Sequence, residues 1–207
     1  MVAFKYRNAG QVCIAPTRFY VQEGVYKSFV EGFTERSKGI KLGNGLEDGV
    51  AMGPLIAERR LDVMEDFVSD AVKSGAKVET GGKRPTNRGY FYNPTVLSEV
   101  PDSAKIMSEE PFGPLAPITP FGSMNEVIDR ANSLPFGLSS YVFTNDGAKA
   151  AAIEDALETG MVGVNHAMIS TPESPFGGVN ESGYGSEGGI EGLDAFLRTK
   201  FITETGV

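Results

Sequence analysis

The sequence has one cysteine and one histidine in 207 residues. A lone Cys forms no internal disulfide, which suits a reducing compartment and a thiol kept for its own chemistry. With His166 as the single imidazole, no Cys/His/Asp spacing suggests a metal site. No run of about 18 apolar residues is present, so no membrane-spanning helix is expected. Met1-Val2-Ala3-Phe4 runs directly into Lys5 without the apolar core of a signal peptide. Positive charge is scarce as well: 19 Lys and Arg face 27 Asp and Glu, a net charge of −8. Without a basic cluster, such a chain is not expected to bind nucleic acid or an anionic membrane surface. The expectation is a cytoplasmic protein that works on small molecules.

What is present is enough for a core. At 41% hydrophobic residues the chain can bury a sizeable interior. Strand-forming and helix-forming patterns alternate along it. Arg18-Phe19-Tyr20-Val21 reads as a strand, and Val25, Phe29, Val30 and Phe33 recur at helical spacing to about Lys38. Five glycines between Gly39 and Gly53 mark a polar loop. The strongest helix follows, with Leu61, Met64, Phe67, Val68, Ala71 and Val72 on one face and Gly75 as its stop. Lys77-Val78-Glu79-Thr80 reads as a strand. Tyr90 to Leu97 is rich in strand formers but interrupted by Pro94, which predicts an edge or an irregular crossing. Leu115 to Phe121 is a further strand, and Ser123-Met124-Asn125-Glu126 has capping-box spacing at a helix start. Leu138 to Thr144, Ala148 to Glu158 and Met161 to Asn165 then predict strand, helix and strand. The pattern is that of an α/β fold: an open, twisted, largely parallel sheet flanked by helices.

Cys13 sits in Asn8-Ala9-Gly10-Gln11-Val12-Cys13. Free Cys is commonly a small buried hydrophobe. Here Gly10 supplies backbone freedom and Gln11 polar groups, as a nucleophile loop requires. Two other stretches carry chemistry. Glu109-Glu110-Pro111-Phe112-Gly113-Pro114 places paired carboxylates beside an aromatic, either as a solvated turn or with something bound between the charges. Ser174-Pro175-Phe176-Gly177-Gly178, continuing to Ser182-Gly183, is a loop whose backbone can approach a ligand or a neighbouring chain closely. Gly183-Tyr184-Gly185-Ser186-Glu187-Gly188 fits a dinucleotide fingerprint by letter. No apolar strand precedes it, so it is rejected as one.

These three stretches, in this order, resemble the signatures of the aldehyde dehydrogenase family, and the chain looks closest to members acting on succinic semialdehyde. The resemblance implies that Cys13 attacks the aldehyde carbon, that Glu110 hydrogen-bonds the nicotinamide ribose, and that Phe112 contacts the nicotinamide ring. It implies that Arg7 grips a substrate carboxylate, for which a guanidinium fork is well shaped. It further implies that Ser170 contacts substrate and that Phe176 walls the substrate tunnel. The cofactor of such a protein is NAD or NADP.

The resemblance covers the C-terminal half of family members. Residues 1–198 are therefore expected to be the thiol-bearing catalytic domain, and 199–207 a C-terminal oligomerisation strand joining copies into a homo-oligomer. The N-terminal cofactor-binding domain is expected to be absent. By itself the chain is expected to bind dinucleotide weakly or not at all and to be inactive or nearly so. Two rival readings stay open: a noncatalytic association module, and a cysteine hydrolase pairing Cys13 with His166.

Overall fold

A computed structural model describes residues 1–85 and 88–206. They form two compact units, Met1–Arg130 and Ala131–Val207.

The first unit begins with a short helix, α1 (Val2–Tyr6), which leads into the cysteine loop. Strand β1 (Phe19–Gln22) and helix α2 (Glu23–Lys38) follow as their periodicity predicts. Phe33 of α2 meets Phe19 edge-on at 5.2 Å between ring centroids, so the aromatic residues on one helix face seat it on the sheet. Helix α3 (Glu58–Lys73) buries Leu61, Met64, Phe67, Val68 and Ala71. Each large apolar side chain so buried contributes about 1.5–3 kcal/mol. Val72, expected on the same stripe, is 46% exposed. It shares the helix face of buried Leu61 but lies in the last turn, beyond the elements that cover that face.

The sheet of this unit comprises β2 (Lys77–Thr80), β3 (Thr95–Ser98) and β4 (Leu115–Phe121), in the order β1-β4-β3-β2. β4 is parallel to both β1 and β3, and β2 pairs antiparallel with β3. The sheet is thus mixed and mostly parallel, with helices against it. The expected edge position of the Tyr90–Leu97 stretch is not what forms. Pro94 stands just before β3 rather than within it, and all four β3 residues are buried between two neighbours. Helix α4 (Met124–Ala131) opens on the expected cap: Ser123 Oγ accepts from the Glu126 N–H at 3.3 Å, while the Glu126 carboxylate accepts from the Gly122 N–H at 3.0 Å. That second bond holds the Glu126 carboxyl below its usual range.

In the second unit, β5 (Phe136–Gly137), β6 (Ser139–Val142), helix α5 (Gly147–Ala156), β7 (Met161–Val164) and β8 (Val179–Asn180) form two small two-stranded sheets. β6 and β7 are parallel; β5 and β8 are antiparallel. Asp146 caps α5, its Oδ1 accepting from the Ala148 and Lys149 N–H groups at 3.1 Å each. The segment Gly183–Gly188 follows the two-residue β8 and leads into a short 3-10 turn over Glu191–Phe196, so no strand–turn–helix frame surrounds it. The expected C-terminal strand is likewise not formed: residues 197–206 make no strand, and Phe201 and Ile202 are exposed. A strand needs a hydrogen-bonded neighbour, and none pairs with this segment among the described residues. No helix among the described residues is long and apolar enough to cross a membrane.

Candidate active site

The cysteine loop is anchored from below. Tyr6, 2% exposed, donates its hydroxyl to the Thr95 carbonyl at 3.0 Å, and Ser37 of α2 donates to the Tyr6 hydroxyl at 3.3 Å. Beyond Tyr6 the backbone turns left-handed for three residues, with φ of +51° at Asn8, +55° at Ala9 and +72° at Gly10. Asn tolerates this conformation and Gly adopts it freely, but Ala9 pays about 1 kcal/mol for it. Such strain persists only where the surroundings over-determine the turn. Here they do. Asn8 Nδ2 donates to the Gln11 carbonyl at 2.9 Å, Gln11 Nε2 donates to the Asn8 carbonyl at 3.1 Å, and Gln11 Oε1 accepts from the Ile56 N–H at 2.9 Å. The outcome is that Cys13, two residues past Gln11, is exposed on a braced turn rather than buried as a small hydrophobe. Arg7, in the same loop, is also exposed; its guanidinium lies 5.7 Å from the Phe4 ring centroid.

Against this loop sits the turn Glu109–Pro114, which leads directly into β4. A Cβ on Gly10 would overlap the Gly113 carbonyl, so the two backbones are in direct contact. Glu110 and Phe112 are both exposed on that turn, and Phe112 has φ +39°. The turn thus presents an acceptor carboxylate and an aromatic ring two residues apart, both open to solvent. The structure therefore sets the loop that carries Arg7 and Cys13 against the turn that carries Glu110 and Phe112, all within the first unit. Ser170 and Phe176 belong to the second. Ser170 is exposed, and Phe176 is half-buried in a bridge with Glu187, in which each N–H donates to the other residue's carbonyl at 2.7 Å.

Three supporting residues were not assigned to the site from the sequence. Arg60, in the first turn of α3, donates from Nη2 to the carbonyls of Pro111 and, at 3.4 Å, Phe112. Met64, one turn on, fills the space where Gly113 would carry a side chain. Lys5 is wholly buried, and its Nζ meets no hydrogen-bond partner among the described residues. Burial pulls the Lys5 ammonium down to about 7, with the Glu110 carboxylate pulling it back up. The sequence cues are the charge of Lys5 just before the cysteine motif and, for Met64, its place on the apolar stripe of α3.

A model described as the aldehyde dehydrogenase family matches residues 1–202. A 3-sulfolactaldehyde dehydrogenase of Pseudomonas putida is 44% identical over 98% of this chain and 42% of its own length. The mitochondrial succinate-semialdehyde dehydrogenase of Mus musculus is 44% identical over 100% of this chain and 40% of its own length. A solved structure of an NADP-dependent enzyme from E. coli superposes with a TM-score of 0.93 at 42% identity, covering 95% of this chain and 41% of that one. The chain spans about two fifths of the length of these relatives. With a family match extending over nearly all of its residues, the chain belongs to the aldehyde dehydrogenase family.

Proposed function

We propose that this chain is the thiol-bearing catalytic portion of an NAD(P)-dependent dehydrogenase acting on an aldehyde that carries a distal anion, with Cys13 as the nucleophile. The observation that carries the reading is the exposed Cys13 on a braced, left-handed loop packed directly against the Glu110–Phe112 turn. As thiolate, Cys13 adds to the aldehyde carbon to give a tetrahedral thiohemiacetal, and backbone N–H groups of its loop help hold the oxyanion. A nicotinamide dinucleotide, when bound, supplies the two-electron oxidation. Glu110 accepts from the ribose hydroxyls and Phe112 packs on the ring, orienting the reacting face. Water then cleaves the acyl–Cys13 thioester, freeing the acid and returning the thiol.

Arg7 pairs with the distal anion. Succinic semialdehyde fits this pattern, as in the mouse relative. The Pseudomonas putida relative acts on a sulfonated aldehyde. A guanidinium fork serves either oxyanion group, so a sulfonate is the second substrate reading. This reading assigns the nucleophile and the nicotinamide end of the cofactor to these 207 residues. It leaves the adenosine end, the water-activating base and most of the dinucleotide affinity to sequence outside them, so the chain alone is proposed to turn over poorly or not at all. The exposed apolar side chains of Phe196, Leu197, Phe201 and Ile202 favour self-association through the C-terminal segment. A cysteine hydrolase gains no comparable support: His166 is exposed, and no side-chain hydrogen bond orients its ring among the described residues.

The test is absorbance of reduced nicotinamide with succinic semialdehyde and NAD or NADP, using the chain alone, the chain supplemented with the N-terminal portion of a succinate-semialdehyde dehydrogenase, and Cys13→Ala in both settings. The expected outcome is no turnover from the chain alone and turnover after supplementation that vanishes with Cys13→Ala. Turnover that survives Cys13→Ala overturns the assignment.

A further inference from the structure

The Glu110–Phe112 turn is held by one helix at three successive points. Arg60 of α3 donates to the Pro111 and Phe112 carbonyls. Met64, 0% exposed and four residues further along the same helix face, occupies the space beside Gly113. Just before α3, the Ile56 N–H reaches Gln11 of the cysteine loop at 2.9 Å. Arg60 is badly placed for its helix. It stands beside Arg59 in the first turn, where the backbone dipole disfavours cations. A cation kept there against the dipole needs acceptors, and the two carbonyls supply them.

The held residue is itself strained. Phe112 has φ +39°, a conformation that an aromatic residue rarely adopts without outside support. Relaxing it to an ordinary backbone conformation would swing the ring and rotate the Pro111–Phe112 peptide next to Glu110.

We propose that Arg60 is a positioning residue for the nicotinamide-contacting turn, holding Phe112 in its left-handed conformation through the Pro111 and Phe112 carbonyls and so setting the directions of the Phe112 ring and the Glu110 carboxylate. The inference rests on the cofactor reading of Glu110 and Phe112 given above. Partial burial and the neighbouring Arg59 pull the Arg60 guanidinium down, and the Glu110 carboxylate pulls it back up. The contacts of the guanidinium with the turn are to its backbone. Lysine at this position would keep the charge but lose the fork that reaches two carbonyls.

Nicotinamide mononucleotide, which contains only the half of the cofactor read by this turn, is the probe. Its binding to the full chain is titrated by NMR for wild type, Arg60→Ala, Arg60→Lys and Val68→Ala, with the Phe112 13Cα and 13Cβ shifts recorded as a reporter of its backbone conformation. Val68 is buried on α3 and its truncation weakens the helix without removing a contact to the turn. Expected results are affinity about tenfold weaker in Arg60→Ala, partial recovery in Arg60→Lys, no loss in Val68→Ala, and movement of the Phe112 shifts away from left-handed values only in the Arg60 variants. Binding by Arg60→Ala equal to wild type, or Phe112 shifts unmoved, overturns the role of Arg60 while leaving the cofactor reading in place. If the wild-type chain shows no perturbation at Glu110 or Phe112 even at the solubility limit of nicotinamide mononucleotide, while Arg60→Ala still moves the Phe112 shifts, the cofactor reading fails and takes the functional role of Arg60 with it.

Discussion

Gly10 of the cysteine loop and Gly113 of the Glu110–Phe112 turn are in direct backbone contact, although about half the chain separates them in sequence. The contact makes the nucleophile and the nicotinamide-facing turn one packed object. Displacing either loop displaces the other. Gly113 is in turn pressed on Met64, so the chain of contact continues into α3 and from there into the core.

Gly10→Ala is expected to destabilise the first unit by about 3 kcal/mol, combining a left-handed φ of +72° with overlap on the Gly113 carbonyl. Gly32→Ala should do the opposite. Gly32 lies exposed inside α2 with nothing within 4 Å of its added Cβ, and a helical Gly→Ala exchange gains about 1 kcal/mol. Urea unfolding of the two variants against wild type reads both signs at once. A neutral Gly10→Ala would mean that the two loops are not packed as described.

Lys5 predicts an unusual dependence on pH. Its ammonium is buried and lowered from 10.5 to about 7 in the folded protein. Below pH 7 both folded and unfolded chains carry the charge, and the fold bears the full cost of burying it. Between pH 7 and 10.5 the unfolded chain holds more protons than the folded one, so this group makes stability rise with pH, by about 5 kcal/mol over the whole window. Tyr6, whose hydroxyl is raised by burial, opposes the gain only at the alkaline end. Lys5→Met should therefore be more stable than wild type at pH 6, and its advantage should shrink by about 3 kcal/mol by pH 9. Parallel stability curves for the two proteins would show that the Lys5 ammonium is solvated.

The site was legible in the sequence where its chemistry is local. Asn8, Gly10, Gln11 and Cys13 lie within six residues, and Glu110 and Phe112 within three, so motif reading placed them on exposed turns. The periodicity of α3 was equally plain, because five of its six expected core residues share one face. Val72 escaped because a stripe read from spacing does not say where the packing partner ends. The position of β3 was misjudged for a different reason. Pro94 was taken to interrupt a strand that in fact starts one residue later, where no proline N–H is needed. Arg60 could not be found at all. It sits on the polar side of an amphipathic helix, and its partners lie about 50 residues away, beyond the reach of any periodicity.

Gln11 offers the sharpest separation of bracing from chemistry. Its side chain donates to the Asn8 carbonyl and accepts from the Ile56 N–H. At about 1 kcal/mol for each bond, Gln11→Ala should cost about 2 kcal/mol and free the turn that carries Cys13. Alkylation of Cys13 by iodoacetamide, followed by intact mass, should then be faster in Gln11→Ala than in wild type, because an exposed thiol on a looser loop samples more approach geometries. His166→Gln should leave the alkylation rate unchanged across pH 6–8, since the imidazole is exposed and makes no side-chain hydrogen bond among the described residues. A large fall in rate on replacing His166 would instead make the imidazole the base for Cys13. The nucleophile would then be activated as in a hydrolase, not by the loop that Gln11 braces.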